Sequence, residues 1–400
     1  MRITWITRSF LDYRVPVFDE LSKLVDGNLM LIYYKDVVPL RVCQKTEQVL
    51  GENSIGLSGE VRLLGPRSWH DKGLSGGVRI PFQPGLVQAV RRSDPDVMVT
   101  DGFFQWTTAA LWLRATRCIP HVTLYEPTAH MEQDAQWYRK AYRKAVLRWV
   151  DAICCNGRLC AEYTRSLGFP AERIPAYGHM VADVQGIRRA TSSVSQTQIN
   201  ALKAQFDLKG VVFLYVGRLV PLKGIDRLLH AWQRFCSPMT SDGVTLLLVG
   251  DGPQRAALDK YCVDHSLHNV RFVGKVDYDA LGPYYRVANT FVIPTLSDNW
   301  SLVVPEAMAA GLPVLCSQYN GCWPELVTPD NGWVFDPLDE ADTVRCLQQC
   351  LAAKGRLPAM GSKSLEIVEG GHTPAHAAKA IYYTCQMAMR HCNGSNNDLL

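Results

Sequence analysis

Thr290–Ser317 reads TFVIPTLSDNWSLVVPEAMAAGLPVLCS. TFVIPT is a short apolar run with the character of a buried strand, and PVLCS at the far end is another. The residues from Glu306 to Ala310 have a helical composition, so the stretch predicts strand, loop, helix, strand. That order joins two parallel strands through a crossover helix. Ser297 to Leu302 then lie at the carboxyl end of the first strand, where open α/β sheets bind ligands, and Glu306 begins the helix or lies just inside it. Asp298 and Glu306 stand eight residues apart on either side of a short apolar run. As two ends of one site, the loop amides near Asn299, Trp300, Ser301 and Leu302 donate to an anion or a sugar hydroxyl, and Glu306 accepts from the paired hydroxyls of a ribose. As two unrelated acids, Glu306 complements the positive end of a helix and Asp298 is merely solvated.

Outward from this stretch the same alternation repeats. Val211–Val216 is a continuous buried-strand run ended by Gly217, and Ile225, Leu228, Leu229 and Trp232 follow at helical spacing. VTLLLVG, a helix through Ala256 and Leu258, and the strand VRFVG come next. The N-terminal half shows its own series: Ile3 to Thr7, a helix from Val15 to Leu24, LMLIYY, PDVMVTDG, the helix TTAALWLRAT, IPHVTLYE and DAICCNG. Strands alternating with helices indicate parallel sheets covered by helices, here two α/β doubly wound domains, each with a strand-end crevice. The 400 residues also exceed what one core usually supports. The Gly- and Pro-rich stretch from Gly51 to Gly85 resists assignment and reads as a long loop, and Arg188 to Gln198 reads as a polar interval of little structure. Ala375 to Arg390 reads as helix and HCNGSNNDLL as a frayed end.

Hydrophobic residues make up 47% and charged residues 20%, as in ordinary globular proteins. The net charge of +4 is unevenly spread: residues 1–190 carry 25 Lys and Arg against 19 acids, whereas the remainder carries 17 against 19. The first half is therefore the better face for an anionic partner. In WYRKAYRKAVLRWVD the aromatic residues Trp137, Tyr138, Tyr142 and Trp149, with Val146, interleave with Arg139, Lys140, Arg143, Lys144 and Arg148. This pattern suits either peripheral contact with an anionic membrane through residues 137–148 or a solvated amphipathic helix. MRITWITRSF contains no apolar run long enough for export, and no stretch of about 18 uncharged apolar residues occurs, so a cytoplasmic location is expected, peripheral at most to the inner face of a membrane. Thirteen scattered cysteines then read as reduced, partly buried thiols. No recognised nucleic-acid module accompanies the basic half, so no nucleic-acid partner is expected.

Other segments carry candidate chemistry. VGRLVPLKG puts Gly217 at a strand end and places Arg218 and Lys223 before a helix start; it is either a diphosphate grip or a solvated turn. GDGP, with Gly252, is a ligand contact or a structural turn. FVGKV, with Lys275 and Val276, offers backbone to a planar base. Neither GxxxxGK[ST] nor a GxGxxG after the first strand is present, so the usual ATPase and nicotinamide signatures are missing.

The ordered set VGRLVPLKG, LLLVGDGP, VRFVGKV, PTLSDNWSLVVPEAMAAGLPVLCS and NGCWPELVTPDNGWVFDP resembles the retaining glycosyltransferases of family 4, over residues 211–337. In the N-terminal half PDVMVTDG and RIPAYGHMVAD carry the likeness. The resemblance implies a GT-B fold, two Rossmann-like doubly wound domains facing across a cleft. Residues 1–187 would bind the acceptor and 188–374 the nucleotide sugar, a helix at 375–390 would cross back to the first domain, and 391–400 would form a flexible tail. It further implies that Arg218 and Lys223 grip the donor diphosphate beside Gly217, that Glu306 takes the ribose hydroxyls, and that Asp298, Asn299, Trp300, Ser301 and Leu302 meet the donor sugar. Asp298 stands where the family more often has Glu, and Ser301 where it more often has Gly. IPHVTLYEPTAH resembles the strand that in the family ends in a histidine near the donor sugar. Glu126 occupies that position here; either His130 would substitute for the histidine or Glu126 would itself hold a sugar hydroxyl, the alternative for His130 being an ordinary core or surface histidine. Arg14, in FLDYRVP, approaches phosphate or acceptor or forms a structural ion pair.

The activity so implied is transfer of a hexose or N-acetylhexosamine from a nucleoside-diphosphate sugar, a UDP-sugar before a GDP-sugar, to a hydroxyl of a glycan, lipid-linked or small-molecule acceptor. No cofactor beyond the donor and no metal is expected, since no compact acidic pair or His cluster stands at a strand end. Two rivals share the fold: a sugar-nucleotide 2-epimerase and a catalytically silent nucleotide-sugar-binding protein.

Overall fold

The computed structural model describes residues 1–64, 80–103, 106–236 and 243–397, and these divide into two compact units. The first comprises Met1–Ala129, Asp134–Met180 and Pro374–Leu400, and the second His130–Gln133 with Val181–Thr373.

In the first unit β1 (Ile3–Thr7), β2 (Leu29–Tyr34) and β3 (Ser54–Leu57) lie on one side of a six-stranded parallel sheet. A separate antiparallel pair, β4 (Val61–Leu64) and β5 (Ile80–Phe82), intervenes in the chain, and β6 (Val97–Asp101), β7 (His121–Tyr125) and β8 (Ala152–Cys155) complete the sheet in the order β3-β2-β1-β6-β7-β8. The strand order reverses between β1 and β6, which opens a crevice at their carboxyl ends. Every residue of β1, β7 and β8 is buried, as expected of strands covered on both faces. The Gly51 to Gly85 stretch is thus no plain loop: it supplies an edge strand pairing Leu31–Tyr34 with Ser54–Leu57, then the antiparallel pair. Residues 65–79 lie outside the described residues.

The second unit repeats the design. β9 (Val211–Val216), β10 (Val244–Val249), β11 (Val270–Gly274), β12 (Thr290–Ile293), β13 (Val314–Ser317) and β14 (Gly332–Phe335) form a parallel sheet in the order β11-β10-β9-β12-β13-β14, reversing between β9 and β12. The runs VVFLYV and VTLLLV are buried throughout, and Phe213 packs its ring edge-on to Trp232 at 5.2 Å.

Two expectations need correction. The polar interval at 188–198 is helical: Val184–Ser192 and Gln196–Gln205 are helices, the second opened by a reciprocal Ser195–Gln198 capping box. The first of them packs on Gly282–Val287 and Val303–Ala309, which places its residues before 188 in the second unit. The last helix does not end at Arg390 in a frayed tail but runs Pro374–Asn397 and packs against Val15–Leu24 of the first unit. All thirteen cysteines are free thiols, eleven of them buried.

Candidate functional site

At the reversal point of the second sheet, the chain leaves β9 through Gly217 and a single 3-10 turn, Pro221–Lys223, into the helix Ile225–Phe235. From the neighbouring β12 it runs through Leu296 to Leu302 into the helix Val303–Ala309. The two loops are laced together: the Leu222 carbonyl accepts the Leu296 amide at 2.9 Å and the Thr295 hydroxyl at 3.0 Å. Gly224 makes that approach feasible. Its φ of +66° favours glycine, and a Cβ there would lie 2.2 Å from the Pro294 carbonyl oxygen.

Lys223 reaches from one loop to the other and forms an ion pair with Asp298 through Oδ2. The Ser301 hydroxyl donates to the same oxygen, and the Trp300 amide donates to Oδ1 at 3.3 Å. The Asp298 backbone is itself pinned, its amide donating to the Tyr319 carbonyl at 3.2 Å and its carbonyl accepting from Gly321 at 3.0 Å. Asn320 Oδ1 then accepts the amides of Ser301 at 3.3 Å and Cys322 at 3.4 Å. Of the loop amides expected to face a ligand, those of Trp300 and Ser301 therefore serve the loop itself. Three buried side-chain atoms of this segment have no hydrogen-bond partner: Asn299 Oδ1, Trp300 Nε1 and Asn320 Nδ2. Each such atom costs about 1–3 kcal/mol unless a ligand or water answers it.

Glu306 lies in the first turn of its helix, 5% exposed, and accepts the Tyr285 hydroxyl at 3.1 Å. Burial and the neighbouring carboxylate push the Tyr285 phenol well above its ordinary range, so it stays a donor to Glu306. Arg218 is exposed and makes no ion pair among the described residues. Gly252 is where the sequence offered two readings, and the backbone supplies a reason of its own: a Cβ there would meet the Leu219 carbonyl at 2.3 Å. Exposed Lys275 and half-buried Val276 follow β11, beside the Gly250 amide, which donates to the Gly274 carbonyl at 2.8 Å.

His130 belongs to the second unit and Glu126 to the first. Nε2 of His130 donates to the Leu296 carbonyl at 2.9 Å, and its ring stacks on Tyr319 at 4.6 Å, whose hydroxyl donates to Asp336 at 3.0 Å. The histidine thus braces the loop that carries Asp298.

A second cluster stands at the reversal point of the first sheet. Arg14 is buried and donates to the His179 carbonyl at 2.7 Å and to His179 Nδ1 at 3.2 Å. Nε2 of His179 donates to the Tyr125 carbonyl at 3.2 Å, which fixes the tautomer. Burial and then the Arg14 charge hold this imidazole well below its usual range, so it is neutral. Arg14 also pairs with Asp101 at 3.6 Å and Glu126 at 3.9 Å, carboxylates at the ends of β6 and β7 that are about a third exposed. Beside them burial pushes the Tyr13 phenol up to about 12. Asp101, His179, Tyr285 and Asn320 were not singled out from the sequence. Asp101 could have been, as an acid closing a buried strand; the others carry no local signal.

Among the described residues no group of three or more His, Cys, Asp or Glu could hold a metal ion. A groove of about 740 Å³ beside Phe82, Gln88 and Arg91 shares no residue with either cluster.

The family model for glycosyl transferases group 1 matches residues 210–353, spanning the loops after β9 and β12, and the glycosyltransferase family 4 model matches 42–176. The chain belongs to glycosyltransferase family 4. This family 4 chain is 34% identical over 126 residues to an uncharacterized glycosyltransferase of Methanocaldococcus jannaschii, covering 31% of this chain and 32% of the relative. It is 31% identical over 183 residues to D-inositol 3-phosphate glycosyltransferase 2 of Catenulispora acidiphila, covering 43% of each. The chain thus spans less than half the length of these two curated relatives. Its fold is shared with the crystal structure of Anabaena HepE in complex with UDP, at a TM-score of 0.73 and 16% identity, with 96% of this chain and 99% of the other covered. Structures of the same protein with UDP and glucose and with UDP-glucose have TM-scores of 0.70 and 0.69. The fold is accordingly GT-B, built from two Rossmann-like units.

Proposed function

We propose that the chain transfers a hexose or N-acetylhexosamine from a nucleoside-diphosphate sugar to a hydroxyl acceptor with retention of anomeric configuration. The observation that carries this is the lacing of the two loops at the reversal point of the second sheet, which brings Arg218 and Lys223 to the same edge as Asp298 and Glu306. The second unit holds the donor in this reading and the first unit the acceptor. Glu306, oriented by Tyr285, accepts from the ribose hydroxyls; Asp298 and the segment from Asn299 to Leu302 meet the sugar; Gly217, Gly252, Lys275 and Val276 border the nucleotide. UDP is favoured as the nucleotide because Anabaena HepE, which shares this fold, is described with UDP and UDP-glucose.

As the bond from the anomeric carbon to the diphosphate oxygen breaks, its electron pair stays with the diphosphate. Arg218 and Lys223 meet the growing negative charge, which lowers the barrier as preorganised cations do. The acceptor oxygen forms its bond to the anomeric carbon on the face the phosphate leaves, and its proton passes to the departing phosphate. No covalent nucleophile and no metal is needed. On the acceptor side Arg14 pairs with Glu126 and Asp101, carboxylates about a third exposed that can accept from sugar hydroxyls. His130 acts through Leu296, as a brace of the donor loop.

Peripheral membrane contact is part of the same proposal. On the helix Trp137–Val146 and just after it, Trp137 is 80% and Trp149 47% exposed, with Lys144 and Arg148 exposed between them. Arg143 is not on that face: it is buried and donates to the Tyr163 hydroxyl at 3.2 Å. No described helix is long and apolar enough to cross a membrane.

The test of transfer is to follow free nucleoside diphosphate from UDP- and GDP-sugars with and without a panel of hydroxyl acceptors. Acceptor-dependent release supports transfer. Conversion of the donor without acceptor would indicate epimerisation, and tight binding without turnover a silent binding protein.

A further inference from the structure

Asp298 and Ser301, two positions at which this sequence differs from the pattern implied by its resemblance to family 4, touch each other in the structure. Ser301, 4% exposed, donates its hydroxyl to Asp298 Oδ2, the oxygen that also receives Lys223. A glycine could not make that contact. With Oδ2 engaged twice, Oδ1 receives only the Trp300 amide, at 3.3 Å. The shorter carboxylate is thereby held in one orientation. Across the loop Asn320 is fully buried, its Oδ1 fixed by two backbone amides, while its Nδ2 has no partner. A buried amide whose acceptor is used and whose donor is not is costly in isolation, and a ligand oxygen relieves it.

We infer that Ser301 is a positioning residue that locks Asp298 to present Oδ1 to the donor sugar, and that Asn320 Nδ2 donates to an oxygen of the same sugar. The inference rests on the donor-site reading above. It separates the sugar from the nucleotide: Glu306 and the cations hold the nucleoside diphosphate, whereas Asp298, Ser301 and Asn320 read what is attached to it. Paired with one acceptor and one amide donor, the sugar must present a hydroxyl hydrogen and an oxygen lone pair in fixed relation, which discriminates between hydroxyl epimers.

The experiment measures Kd for uridine, guanosine and adenosine diphosphates and for their hexose conjugates by calorimetry, for the unaltered chain and for Ser301→Ala, Asn320→Ala and the double variant Asp298→Glu/Ser301→Gly. For Ser301→Ala and Asn320→Ala the preference for the conjugate over the bare diphosphate falls about tenfold, as expected for one lost hydrogen bond to a charged or buried partner. The double variant, which restores the commoner pair, regains binding of a conjugate and changes which hexose epimer is preferred. Binding of the bare diphosphate reports that each variant is folded. An unchanged ratio in both single variants, with diphosphate binding intact, overturns this inference and leaves the donor site standing. If the unaltered chain binds no nucleotide, the donor-site reading falls and this inference with it.

Discussion

Lys223, at the end of the loop after β9, is ion-paired with Asp298, in the loop after β12. The pair ties together two segments separated by 75 positions and puts a cation and a carboxylate at one sheet edge. Both side chains remain partly exposed, 26% and 16%, so the pair is screened and its role is one of position more than of stability. Lys223→Ala should weaken nucleoside-diphosphate binding roughly tenfold and leave the unfolding midpoint nearly unchanged. Calorimetry alongside urea unfolding checks both halves, and a large stability loss with intact binding would reverse the assignment.

Gly250 ends β10 with a φ of +141°, and a Cβ added there would sit 1.8 Å from the Gly217 carbonyl oxygen. The obstacle is backbone, which cannot swing aside. Gly250→Ala is expected to destabilise the second unit by at least about 2 kcal/mol, measured by urea unfolding. A variant as stable as the parent would show that the loops after β9 and β10 are not packed backbone to backbone.

His121, fully buried in β7, accepts the Thr100 hydroxyl at Nε2 at 2.8 Å and donates from Nδ1 to the Trp149 carbonyl at 3.2 Å. Burial lowers its pKa from 6.5 to about 4. The folded state therefore binds this proton less readily than the unfolded chain, so the stabilisation is complete above about pH 6.5 and is lost as the pH falls toward 4. At about 1.4 kcal/mol per pH unit the loss is on the order of 3 kcal/mol. His179, lowered in the same direction, adds to it. Thermal unfolding between pH 7 and pH 4.5 should show a falling Tm, with a shallower fall in His121→Gln.

Sedimentation with anionic liposomes tests the exposed aromatic and basic face around Trp137. Trp137→Ala combined with Lys144→Ser and Arg148→Ser should reduce the bound fraction several-fold, because about 1 kcal/mol is lost for each basic residue near an anionic surface. Arg143→Ala should lower stability instead, since its guanidinium is buried against Tyr163. Equal binding by the parent and the triple variant would rule out this face.

Much of the fold was legible because parallel strands buried on both faces are written as continuous apolar runs, such as Val211–Val216 and Val244–Val249. The helix Leu357–Gly371 was not, since its glycines look like breakers. Gly361 is in fact a crossing point, where a Cβ would lie 1.8 Å from the Gly311 carbonyl oxygen. At 188–198 the polar composition concealed a helix start that the Ser195–Gln198 spacing does encode. At the reversal point of the second sheet, strand ends and charge pattern located Arg218, Lys223, Asp298 and Glu306. Tyr285 and Asn320 arrive from elements 21 and 19 positions away from the residues they touch, Glu306 and Ser301, and no local pattern marks them. The same holds for His179, which meets Arg14 across 165 positions.

In the proposed function the second unit binds a nucleoside-diphosphate sugar through Glu306. Its most direct test is a thermal-shift titration of the purified chain with UDP-, GDP-, ADP- and dTDP-sugars, run beside Glu306→Ala. Stabilisation by one donor that is lost in the variant is the predicted result, with about 2.7 kcal/mol expected when the donor is present at a hundred times its Kd. Stabilisation that survives unchanged in Glu306→Ala would contradict the site, and no stabilisation by any donor would contradict the claim.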